Sequence, residues 1–207
     1  MKYSIIILFL TFCFFTGAGQ TKEHDQSKEI DIPAYVWKVY DSLKARGVSN
    51  MISVERSFFG MHILDSLGGP DIYFDILWEI NDTSYFQLIK FYSDRVIRTQ
   101  RRIINDDDLF PLFSMYYDSI KAEEFLPCVI KSETNGIESY RPLTPIHKTM
   151  YDMLLFSKKE VLQKSFEDSY LLQNFVEDYV NLNYKYNNST KLMMLWKKIW
   201  KIIKSQQ

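Results

Sequence analysis

The chain has 207 residues, of which 25 are basic and 26 acidic, so its formal net charge is −1. Hydrophobic residues make up 46% of the sequence, which is enough for a packed core in one domain. The balanced charge and a pI of about 6.3 argue against nucleic acid as a partner, and no such partner is predicted.

The N-terminus has the three parts of a secretory signal peptide. Lys2 gives a positive start, an apolar run extends over residues 5–15, and small residues occupy positions 16–19. The run is shorter than the roughly 17–25 apolar residues that a membrane-spanning helix needs. We therefore expect residues 1–19 to be cleaved and the protein to be periplasmic or secreted.

Two cysteines bear on processing and on disulfides. Cys13 lies inside the apolar run and follows the bulky Phe12, so we expect no lipidation there. Cleavage leaves Cys128 alone, which rules out an intramolecular disulfide, and we interpret it as a small buried hydrophobe. Residues 20–31 are polar and are expected to form a flexible leader.

The pattern over residues 32–186 predicts a single domain that begins with helical segments. Pro33 is suited to the first turn of a helix that ends near Gly47, with an apolar stripe that includes Val36. Residues 49–70 begin with cap-type residues and end in Gly-Gly-Pro, which favours a second helix. The alternating apolar residues at 52–59 leave a strand as the alternative there.

A change to period two after Pro70 predicts strands. Residues 72–80 alternate as in a strand with one buried face, and further strands are predicted at 85–92 and 95–104. A helix is expected over 109–125, opened by acidic residues, and Asn135-Gly136 predicts a two-residue hairpin turn.

Apolar residues at three- and four-residue spacing predict helices in the C-terminal third, over 150–166 and 172–180. Residues 187–207 are expected to form a basic amphipathic helix. The predicted fold class is therefore α+β: an antiparallel sheet made of a meander and a hairpin, flanked by helices, with a helical C-terminal third.

Catalytic signatures are few. Walker, GxGxxG, GxSxG and HExxH motifs do not occur in the sequence, and no cofactor or metal site is predicted. His62 and Asp65 would share one helix face as a base and its orienting carboxylate, and His147 stands near a predicted helix start. We keep these three residues as weak catalytic candidates and favour local hydrogen bonding and capping for them.

Two groups of acidic residues could in principle carry chemistry. Asp75 and Glu79 are predicted on the outward face of one strand, about 13 Å apart, which exceeds the roughly 5–9.5 Å of glycosidase carboxyl pairs. Partners from different elements stay open. The acids at 106–108 lack the spacing of a calcium loop, so we interpret them as a helix cap.

Four arginines within eight residues form a candidate anion contact. Because side chains alternate along a strand, they would point to both faces, and we favour pairing with acids such as Asp75 and Glu79. The arginines are Arg95, Arg98, Arg101 and Arg102.

The C-terminal tail, residues 191–207, carries five lysines, and all 26 acids precede it. On a helix its lysines lie opposite its apolar residues. We favour docking of this helix on the domain, with a membrane interface through residues 190–204 or a protein partner as alternatives. Its candidate contact residues are Trp196, Trp200, Lys197, Lys198, Lys201 and Lys204.

These patterns predict an exported, soluble, non-catalytic binding or interaction protein, whose partner is an unknown protein or small ligand. Two alternatives stay open: a peripheral membrane protein that uses the tail, and a secreted hydrolase of unrecognised type.

Overall fold

A computed structural model of the chain describes residues 32–59, 72–106, 108–143, 145, 148–158, 160–176 and 179–206. Its central element is an antiparallel sheet of seven strands. The strands are β1 Met51–Phe59, β2 Ile72–Ile80, β3 Thr83–Phe91, β4 Val96–Arg98, β5 Arg102–Ile103, β8 Lys148–Phe156 and β9 Val161–Glu167. Their order in the sheet is β4-β3-β2-β1-β8-β9, and β5 also pairs with β3.

The other elements flank this sheet. Two further strand pairs are β6–β7 and β10–β11, formed by β6 Val129–Thr134, β7 Ile137–Pro142, β10 Asn174–Val176 and β11 Tyr179–Val180. The helices are α1 Ile32–Lys44, α2 Leu109–Met115, α3 Tyr117–Ala122, α4 Tyr184–Ser189 and α5 Lys191–Gln206, with a 3-10 turn at Asp168–Leu171. None of the helices in these described ranges is long and apolar enough to cross a membrane.

The α+β class is confirmed, and so are the meander, the hairpin and the C-terminal helix. The predicted Asn135-Gly136 turn and the turn between β2 and β3 both adopt the left-handed conformation that a two-residue hairpin needs. At the β6–β7 turn, Asn135 has φ 54° and Gly136 has φ 77°; at the β2–β3 turn, Asn81 and Asp82 have φ 50° and 58°.

Three predicted segments differ from the structure. Residues 51–59 form strand β1, residues 148–167 form strands β8 and β9, and residues 174–180 contribute the short strands β10 and β11, where helices were predicted. In addition, the predicted strand at 95–104 is divided into β4 and β5.

The error at β1 has a physical cause, because helices cover both faces of the sheet. Met51 packs on the side of α1, whereas Ile52 packs with α2, α3 and α5 on the other side. Residues 51–54 are therefore all buried, and such a run does not show the period-two pattern of a half-buried strand. We call the two sides the α1 face and the α5 face.

Candidate functional site

A cavity of about 310 Å³ opens on the α1 face, between α1 and strands β1, β2, β8 and β9. This volume lies at the lower end of the range for small-molecule sites, about 300–1,000 Å³. We call it the carboxylate cavity, and its lining residues are Val36, Trp37, Glu55, Phe74, Asp152, Leu154 and Gln163.

The floor of the carboxylate cavity carries two acids from neighbouring strands. Glu55 of β1 stands directly opposite Asp152 of β8 in the antiparallel register. Side chains in such a position have Cβ atoms about 4.5–5.5 Å apart, so the two carboxyl groups lie side by side. Both residues are half-buried. Ser165, which is opposite Asp152 on β9, donates its hydroxyl hydrogen to Asp152 Oδ1.

The electrostatics of the pair are unfavourable for two ionised acids. Burial raises the pKa of Glu55, and the charge of Asp152 raises it further. Within the part of the chain that the structure describes, neither acid forms an ion pair with a lysine or an arginine. Like charges directly opposite each other destabilise a sheet, and no described cation offsets the cost of this pair.

The rest of the cavity wall is apolar and aromatic. Trp37 is 42% exposed although it packs edge-on against Phe156, with 5.3 Å between ring centroids. Phe74 is buried and packs against Phe91. The cavity thus combines a charged floor with hydrocarbon walls, which is the composition of sites that bind small organic molecules.

A buried hydroxyl lies beside this floor. Ser53, two residues before Glu55 on the same face, stands in register between Leu154 and Ile76. It is buried, and its hydroxyl has no hydrogen-bond partner among the described residues. Native structures pair the large majority of such groups, and Ser53 is not one of the residues that line the cavity.

A second cavity, of about 240 Å³, is bounded mainly by residues that carry a hydroxyl or an amide group and by one lysine, Lys158. It is smaller than the usual range for small-molecule sites and has no opposed charged pair in its lining. Its lining residues are Ser49, Asn50, Phe113, Ser114, Tyr117, Ser157 and Lys158. The carboxylate cavity is therefore the stronger candidate.

Comparison with protein-family models, with curated proteins and with solved structures finds no match to this chain. The function is therefore inferred from the cavity and its residues.

The catalytic candidates from the sequence, His62, Asp65 and His147, lie outside the described residues. The prediction that Asp75 lies on the outward face of its strand is wrong, because this residue is fully buried on the α5 face. Arg56 Nε donates to Asp75 Oδ2 at 2.6 Å, while Oδ1 has no hydrogen-bond partner among the described residues. Burial outweighs the attraction of Arg56 and raises the pKa of Asp75 to about 6.

Each of the four arginines contacts a different residue, and none of these residues is Asp75 or Glu79, the acids predicted as partners. The pairing expected for Asp75 is wrong, because Arg56 occupies that position. Arg95 pairs with Asp94, Arg98 donates to the Tyr35 hydroxyl, Arg101 lies over the Tyr85 ring, and Arg102 donates to the Gln206 carbonyl at 2.9 Å. Anion binding by this group stays a prediction.

The acids before α2 bind the tail rather than capping the helix as predicted. Asp108 stands at the N-cap but makes no side-chain cap bond, whereas Asp106 accepts a hydrogen bond from the Asp108 amide at 3.2 Å. Lys198 of α5 lies 3.1 Å from Asp106 and 3.4 Å from Asp108.

The interpretation of Cys128 as a small buried hydrophobe is confirmed, since its side chain is buried and its thiol is free.

The tail helix α5 packs on the sheet through its apolar side. Trp196 is 3% exposed, with ring centroids 4.8 Å from Tyr151 and 4.9 Å from Phe166, and Trp200 stacks on it at 5.5 Å. The buried residues are Leu192, Met193, Leu195, Trp196, Ile199, Ile202 and Ile203. Lys197, Lys201 and Lys204 are exposed and Lys198 is half-buried. A membrane or partner contact through Trp196 would therefore require this helix to leave the sheet.

Glu55, Asp152 and Trp37 were not singled out from the sequence. The two acids belong to β1 and β8, which were predicted as helices, so their opposition across a strand pair had no signal in the sequence. An assignment of β1 as the alternative strand would have placed Glu55 on one face with Ser53, but the partner strand would still have been missing.

Proposed function

We propose that this chain is an exported, non-catalytic binding protein whose ligand occupies the carboxylate cavity. The single observation that carries this proposal is the opposition of Glu55 and Asp152 beneath an exposed tryptophan, Trp37, in one cavity of small-molecule size. Export is supported by the charged start, the apolar run and the small residues of positions 1–19.

A binding role accounts better for the lining than a catalytic one. Apart from its two acids, the described lining contains only apolar side chains and Gln163. Ligand binding would use the acids for orientation and the apolar wall for affinity. Two carboxyl groups at this spacing also suit a glycosidase, so the alternative of a secreted hydrolase is tested by the same experiment.

The experiment is a thermal-shift screen of the purified mature chain against small amines, sugars and amino acids. A ligand at about 100 times its Kd stabilises the folded state by about 2.7 kcal/mol, which raises Tm by about 5–10 °C at this size. Gln163→Phe, at an exposed position of the cavity wall, should fill the cavity and abolish the shift. Gln100→Phe, the same substitution at an exposed position outside it, should keep the shift.

Three results would contradict the proposal. A shift that survives in Gln163→Phe would place the ligand elsewhere. Product release from the screened sugars, lost in both Glu55→Gln and Asp152→Asn, would make the chain a hydrolase. An N-terminal sequence that still contains residues 1–19, in protein recovered from expressing cells, would remove the export part.

The peripheral membrane role through residues 190–204 is a weaker proposal, because the apolar side of α5 is buried in the domain. Vesicles with anionic lipid should therefore sediment little of the chain at physiological salt. Strong sedimentation that is lost when Lys197, Lys201 and Lys204 are changed to glutamate would instead favour the membrane role over binding in the carboxylate cavity.

A further inference from the structure

Among the described residues, the acids of the carboxylate cavity lack the neighbouring cation that each of the two buried sheet acids, Asp75 and Glu167, has. Asp75 contacts Arg56, and Glu167 contacts Lys148 at 2.6 Å, so these sheet acids have a cation beside them. Glu55 and Asp152 face each other, and no cation contacts either of them within the described ranges. A positive charge placed between them would remove their repulsion and gain attraction to both.

The other groups around Glu55 do not supply this charge. From α1 the cavity is lined by Val36 and Trp37, from β2 by Phe74, and from β9 by Gln163. Asp152 on β8 is thus the one titratable group that lines the cavity with Glu55 among the described residues. Burial and this neighbour raise the pKa of Glu55, as expected where a compensating cation is missing.

From these observations we infer that the ligand is a small organic cation, namely a protonated amine attached to a compact apolar group. This inference rests on the proposed function and names its ligand class. The ammonium group has three N–H donors and no acceptor, so it can donate to Glu55, to Asp152 and to the amide oxygen of Gln163. Its hydrocarbon part lies against Trp37, Phe74 and Leu154.

The walls favour this class over a metal ion. No group of three or more potential metal-ligating residues occurs in the described part of the chain, whereas calcium takes six to eight oxygen ligands. An aromatic ring such as Trp37 attracts organic cations through its electron-rich face.

The test uses the whole mature chain and three probes that share one ring: benzylamine, benzyl alcohol and benzoate. Isothermal titration calorimetry is carried out at pH 8, where benzylamine in solution is protonated. We expect benzylamine to bind at least tenfold more tightly than benzyl alcohol, and benzoate not to bind. A hydrogen bond to a charged group is worth about a tenfold to hundredfold change in Kd, so Glu55→Gln and Asp152→Asn should each weaken benzylamine by that factor.

The matched control is Asp94→Asn, which removes one negative charge from an exposed turn outside the cavity. It should leave the Kd of benzylamine unchanged within twofold, whereas a general electrostatic attraction would weaken all three variants equally. Folding of the variants is checked by Tm, which Glu55→Gln and Asp152→Asn should raise or leave unchanged because each removes a like-charge contact.

The outcomes separate this inference from the function on which it rests. Equal affinity for benzylamine and benzyl alcohol, insensitive to Glu55→Gln and Asp152→Asn but lost in Gln163→Phe, would overturn the cation class and keep the binding cavity. Absence of binding by all three probes, together with no thermal shift in the wider screen, would overturn both. Equal weakening by Asp94→Asn would also overturn the cation class.

Discussion

Truncation of Trp196 to alanine tests the packing of the C-terminal helix on the domain. The tryptophan is almost fully buried and contacts Tyr151, Phe166 and Trp200. An aromatic side chain of this size buries about 150–250 Å², which at about 25 cal/mol per Å² corresponds to about 4–6 kcal/mol. Because alanine keeps part of that burial and the site relaxes, we expect Trp196→Ala to lower the free energy of unfolding by about 3–5 kcal/mol.

The assay is urea denaturation followed by far-ultraviolet circular dichroism and by tryptophan fluorescence. Lys201→Ala is the matched control, since Lys201 is exposed on the same helix, and it should change stability by less than about 0.5 kcal/mol. A domain stability of about 5–15 kcal/mol means that Trp196→Ala removes a large share of the total.

Coincident transitions with the two probes would show that α5 unfolds with the sheet as one unit. A separate early transition of helix signal, at unchanged stability of the remainder, would instead show that α5 detaches first. A cost below about 1 kcal/mol for Trp196→Ala, similar to Lys201→Ala, would refute the reasoning, because it would mean that this helix is not buried on the sheet in solution.

Three further predictions concern buried polar groups. The pKa of Asp75 is raised from 3.8 to about 6 in the folded protein. The free energy of unfolding is therefore highest below pH 4, where Asp75 is protonated in both states, and it falls by about 3 kcal/mol as the pH rises through 6. The stability of Asp75→Asn minus that of wild type should therefore increase between pH 4 and 7 in urea titrations, and a decrease would contradict the cause given. Asn187 is buried and bonds the Leu126 amide, the Leu126 carbonyl and the Tyr170 carbonyl, so Asn187→Ala should cost about 2–4 kcal/mol, against less than about 0.5 for the exposed Asn188→Ala. The thiol of Cys128 is buried and its pKa is raised, so a disulfide reagent at pH 8 should react slowly in native protein and fully in urea; rapid stoichiometric reaction of native protein would show that the thiol is accessible.

The sequence predictions succeeded where an element carries a regular pattern of its own, as β2 does although residues 74–78 are all buried. The helix α5 has one apolar side, so its period of 3.6 is visible in the sequence. The Asn135-Gly136 turn was also predicted correctly, because it requires a left-handed backbone conformation that few residues other than glycine and asparagine adopt. Local rules of this kind act within a few residues and need no knowledge of the rest of the fold.

Strands β1 and β8 show where local rules fail. Met51, Ile52, Ser53 and Val54 are all buried in succession because layers cover both sides of the sheet, and such a run does not distinguish a strand from a helix. Their pairing with each other connects residues that are far apart in the sequence. The position of Glu55 opposite Asp152 therefore follows only from the three-dimensional structure, and the candidate site could not be predicted without it.

The distribution of charge on the two faces of the sheet gives a physical reason to look for function at Glu55 and Asp152. On the α5 face the buried acid Asp75 is held by Arg56, so its charge is part of the packed core. On the α1 face the two opposed acids lower stability and have no described cation beside them, although neutral residues at the same positions would fit an antiparallel pair. Proteins keep such unfavourable groups mainly where activity needs them. The same substitutions that should stabilise this chain, Glu55→Gln and Asp152→Asn, should therefore be the ones that weaken ligand binding.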